Sequence, residues 1–137
     1  MSFMTLLALL LIAHGLVHVS LTAVPYGPST PFWPSFWRAE TGHSWLLQGL
    51  GLGGEPNRAI GGLLLLVATL GFVLAGLAFA GWLVPRAWWP TLGLVSAAAS
   101  LLLFLLFPHP WLVVGLALSL ATVWAIWARW LAGLVGA

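Results

Sequence analysis

His14 and His18, in the stretch AHGLVH, are the residues of this chain whose type and spacing can do chemistry. Side chains four positions apart share one helix face, here aligned with Leu7, Leu11 and Leu21. Two imidazoles so placed can chelate one metal ion, as in helical zinc sites. The remaining histidines are His43, in a long polar stretch, and His109, in the turn FPHPW. The order of helices derived below puts both on the same half of the molecule, along with Glu40 and Glu55. His14, His18, His43 and His109 therefore form the candidate metal-ligand set. A haem or chlorin held by both rings of the first pair fits poorly, because neighbours on one helix face cannot sit on opposite faces of a macrocycle. Such a ring would take one axial histidine, a partner chain, or His109 at the membrane edge. Two other readings stand beside these. The rings can be neutral and hydrogen-bonded to neighbouring helices, or they can move a proton or hold a polar ligand.

Other chemistries are excluded by residue type. The chain has no cysteine, so thiolate metal sites and disulfides are absent. It has no lysine for a Schiff base and no aspartate for a Ser–His–Asp triad. Gly49, Gly51, Gly53 and Gly54 do not follow a strand and are no dinucleotide fingerprint. The histidines are too few for a membrane di-iron oxygenase.

The elements that must position His14 and His18 follow from composition. Of 137 residues, 62% are hydrophobic and 4% charged, where a water-soluble domain carries about 25% charged residues. No basic cluster exists to neutralise a run of phosphates, so nucleic acid is not a partner. Apolar runs bounded by prolines predict four transmembrane helices, at about 3–24, 56–84, 88–107 and 111–131. They make one domain over residues 1–137, an antiparallel all-α bundle with the lipid bilayer as its first partner. The N-terminal run lacks the basic start of a secretory signal and reads as a retained helix.

Residues 25–57 combine Trp33, Trp37 and Trp45 with several prolines. Indole favours the headgroup zone, so this loop is expected to lie along the membrane surface and partly cap the bundle. Within it, 41–50 is expected to form a short helix capped by Thr41. Thr69, Ser96, Ser100, Ser119 and Thr122 fall near the depth of His14, which points to a shared polar level. Small residues recur at four-residue spacing (Gly71/Ala75, Gly76/Ala80, Gly93/Ala97, Gly115/Ser119, Ala117/Ala121/Ala125) and let helices approach closely. Trp82, Trp88, Trp89, Trp124, Trp127 and Trp130 gather on the half that holds the N-terminus and read as an aromatic belt with packing, the alternative being a stacking site for a quinone or pigment ring. Arginines are tied at two per side, Arg86 and Arg129 against Arg38 and Arg58. The α-amino group and the far location of both glutamates favour cytoplasmic termini.

AHGLVH, SWLL, NRAIGG leading into GFVLAGLAFAGWLVP, WWP and LLFPHPW together resemble a group of small bacterial four-helix integral membrane proteins. A looser likeness, in size and helix count, is to the DoxX-type four-helix proteins. The resemblance implies a bacterial inner-membrane location and a four-helix fold, and carries over no catalytic residue. The expected function is that of a membrane binding or accessory protein, a homo-oligomer or a subunit of a larger complex. The alternative is a metal- or haem-linked redox protein using His14 and His18.

Overall fold

A computed structural model describes residues 2–23, 44–108 and 112–135, with helices and no strands among them. The helices are α1 (Phe3–Ala23), α2 (Trp45–Gly49), α3 (Glu55–Ala80), α4 (Trp89–Leu106) and α5 (Leu112–Val135), with a 3₁₀ turn at Arg86–Trp88. Three stretches are long and apolar enough to cross a membrane: α3, the 3₁₀ turn with α4, and α5. They mark a multi-pass membrane protein. α1 adds an apolar helix of 21 residues. Leucines such as Leu6, Leu16, Leu63, Leu70, Leu102 and Leu120 stand exposed on four helices. That is the pattern of a surface solvated by hydrocarbon rather than water.

The helix limits differ from expectation at three places. α3 stops at Ala80 rather than at 84, because Gly81 takes a left-handed conformation (φ 75°) and its amide bonds back to Ala78. Trp82, Leu83 and Val84 then belong to the turn, although they are apolar and precede Pro85. α5 continues to Val135 rather than ending at 131, since Gly133 alone does not break a helix. The short helix covers Trp45–Gly49 with Ser44 as its cap, the Leu47 amide donating to Ser44 Oγ at 3.3 Å. Thr41, His43, Glu40, Arg38, His109 and the 24–43 part of the long loop lie outside the described residues.

α1 packs along α3, α3 along α4, and α4 along α5. Glycines close the α1–α3 seam at two points. A Cβ on Gly76 would come within 2.7 Å of the Ala8 carbonyl, and one on Gly15 within 2.8 Å of the Thr69 carbonyl. Only glycine lets the two backbones meet there. α2 covers the other end of the pair formed by α3 and α4. Leu47 joins a cluster with Leu65, Leu103, Leu106, Phe107 and Leu112. Trp45 Nε1 donates to the Leu105 carbonyl at 2.8 Å, and the Ser44 amide to Asn57 Oδ1 at 3.1 Å.

Candidate functional site

Helical periodicity puts His14 and His18 on the face of α1 that turns inward, and both are buried, 6% and 4% exposed. Hydrocarbon offers an imidazole no hydrogen bond, so burial inside protein is the favourable placement. His18 Nδ1 lies 2.9 Å from the His14 carbonyl, one turn earlier. A carbonyl only accepts, so Nδ1 carries the proton. A neutral ring then accepts at Nε2, where the Ser100 hydroxyl stands 3.2 Å away. His18 thus crosses the bundle interior and ties α1 to α4.

His14 has no such arrangement. Its Nε2 is buried and has no hydrogen-bond partner. The ring sits edge-on to Phe72, with centroids 4.4 Å apart, and edge-on to His18 at 4.8 Å. Two hydroxyls share its situation: Thr69 Oγ1 on α3 and Ser119 Oγ on α5 are buried without partners. Thr69 packs beside Gly15, and Gly115, one turn before Ser119, lies against His14 Cε1. Three helices therefore bring unpartnered polar atoms to one level. A buried polar group without a partner costs about 1–3 kcal/mol, so each of these three atoms weighs against the fold.

The other hydroxyls expected at this depth are spoken for within their own helices. Ser96 Oγ donates to the Leu92 carbonyl and Thr122 Oγ1 to the Leu118 carbonyl at 2.8 Å. Of the expected set, Ser100 alone reaches a histidine.

The histidine pair is not preset as a chelate. Both His18 nitrogens are engaged with the protein, so a metal at the pair would have to displace Ser100 or the carbonyl. Among the described residues no three metal-ligating side chains converge. His43 and His109 are outside them.

A second feature adjoins His14. α1 and α5 do not pack along their length, and between them runs a cleft of about 370 Å³. Met4, Leu7, Leu10, Leu11 and His14 form one wall, and Leu118, Ala121, Thr122, Ala125 and Arg129 the other. Phe79 and Trp89 make its floor at the end away from His14. There the Arg129 guanidinium lies over the Trp89 ring, 5.8 Å from its centroid. Sequence reasoning placed His14, Leu7 and Leu11 on one face but missed the cleft and Arg129. The small residues Ala121 and Ala125 signal close packing, which here is left open.

No family model, curated protein or solved structure matches this chain.

Proposed function

We propose that this chain is a small binding or accessory protein of the bacterial inner membrane, acting as a subunit of a larger membrane complex. In this reading α1 crosses the bilayer with the three longer spans, giving a four-helix antiparallel bundle with both termini in the cytoplasm. The loop of residues 25–57 lies on the opposite surface. The observation that carries the binding role is the α1–α5 cleft, lined from four helices and closed at its inner end by His14. A helical bundle with no guest would gain by closing such a gap, since cavity walls forgo dispersion contacts. Purification in mild detergent followed by native mass spectrometry tests the role. A retained small molecule or protein partner is expected, and a bare monomer under all extraction conditions would refute it.

A second reading, a metal- or haem-linked redox protein, draws on the unpartnered His14 Nε2. One free imidazole nitrogen can serve as a single axial ligand, with His18 orienting the helix rather than ligating. An absorption spectrum and elemental analysis of the purified protein decide it. A Soret band or stoichiometric metal that is lost on His14→Leu would establish this alternative.

A further inference from the structure

The cleft has chemically different ends, and this defines what fits it. Along α1 it runs from Met4 to His14. Ten residues of helix rise about 15 Å, which is half of a hydrocarbon core of about 30 Å. The cleft is therefore as long as one leaflet is deep. Its walls are mostly leucine, alanine and methionine, and the unpartnered His14 Nε2 is sealed beneath its surface. At the membrane-surface end stands a cation. Arg58 is paired with Glu55 at 3.1 Å and Arg86 donates to the Ala80 carbonyl at 3.3 Å. Arg129 meets no carboxylate among the described residues and lies over Trp89.

We propose that the α1–α5 cleft holds one acyl chain of an acidic phospholipid from the leaflet on the N-terminal side, with its phosphate at Arg129. The proposal rests on the binding role above and names the ligand class. An acyl chain starting at the headgroup level reaches the midplane, where His14 closes the cleft. A guanidinium presents paired donors that match phosphate oxygens, and Trp89 beneath it holds the plane of the fork. The cleft opens sideways between two helices, so the chain enters from the bilayer without crossing water. A zwitterionic lipid offers the same tail and a phosphate masked by its own cation, so it gains less at Arg129.

The test uses the full chain reconstituted in bilayer discs holding equal phosphatidylglycerol and phosphatidylcholine, released for native mass spectrometry. The wild type is expected to retain one lipid, with phosphatidylglycerol favoured about fivefold, the factor for one arginine near the surface at about 1 kcal/mol. Arg129→Gln should bring the two lipids to parity with the melting temperature unchanged. Ala125→Trp, at an exposed wall position, should expel the lipid whichever headgroup it carries. Retention without headgroup preference, or a preference surviving Arg129→Gln, overturns the lipid assignment and leaves the binding role standing. A dimer mass that Ala125→Trp abolishes would assign the cleft to a second copy and overturn it likewise. A wild type that retains nothing overturns both.

Discussion

The two sides of α1 are built on opposite rules. Against α3 it is pressed so closely that Gly15 and Gly76 have no room for a Cβ. Against α5 it stands off and leaves the cleft. Both faces are apolar, and lipid solvates leucine as well as protein does, so burial of hydrophobic area decides neither contact. Shape decides: where small residues from both helices meet, backbones approach and dispersion adds up. On the α5 side, Ala121 and Ala125 are small but face Leu7, Leu10 and Leu11 across the gap. The same stripe pattern thus produces a seam or a groove, depending on what opposes it.

The largest effect that would break this comparison is at the seam. Gly76→Leu should destabilise the protein by about 3 kcal/mol or more, since its side chain collides with the Ala8 backbone and Ile12. Ala125→Leu, on the open side, should stay within about 0.5 kcal/mol. Equal losses for the two variants in denaturant titrations of the detergent-solubilised protein would show that the cleft is a packed interface.

Next in size is the tie across the interior. His18→Leu should cost about 1–2 kcal/mol by leaving Ser100 buried without its partner. Combined with Ser100→Ala, it should show a coupling of about 0.5–1.5 kcal/mol, the range for interhelical hydrogen bonds in membranes. Additivity in that double-mutant cycle would dissolve the bond.

His14 sharpens the contrast within the pair. His14→Gln should lie within about 1 kcal/mol of the wild type, because its Nε2 has no partner to lose. His18→Gln should cost more in the same titration. A bound metal should be lost on His14→Leu, by elemental analysis; an equal loss on His18→Leu would mean that both rings ligate and that the Ser100 bond is displaced.

The smallest effect is expected at the two unpartnered hydroxyls. Thr69→Val and Ser119→Ala should be neutral or stabilising by up to about 1 kcal/mol, because each deletes a buried group without a bond. Clear destabilisation of either would mean that a water or ligand bonds to it.

How far the sequence could lead is visible in these residues. The helices were legible because prolines punctuate apolar runs, and the inward turn of His14 and His18 because hydrocarbon penalises a bare imidazole. Ser100 was among the expected partners on depth alone. The end of α3 was not legible, since a left-handed Gly81 looks like any other glycine in a run of small residues. Nor was the division between seam and cleft. It depends on which faces of α1, α3 and α5 oppose one another, and that is set by the summed contacts of many near-equivalent leucines. In the sequence Arg129 bears only on orientation; its place over Trp89 at the mouth of the cleft follows from the fold.

The bond from Trp45 to the Leu105 carbonyl has a mechanical consequence. α3 and α4 are joined at one end by the Gly81 hairpin and strapped at the other by α2, so they behave as a stiff frame. α5 is mounted on one member of that frame. α1 is clamped to the α3 member at Gly76 and Gly15 and tied to α4 through His18. The contact left open is the one between α1 and α5, so the softest deformation of the molecule is a swing of α5 against α1 that widens or narrows the cleft. Lateral pressure in one leaflet acts on that coordinate directly, whereas the stiff frame transmits little of it to the opposite face.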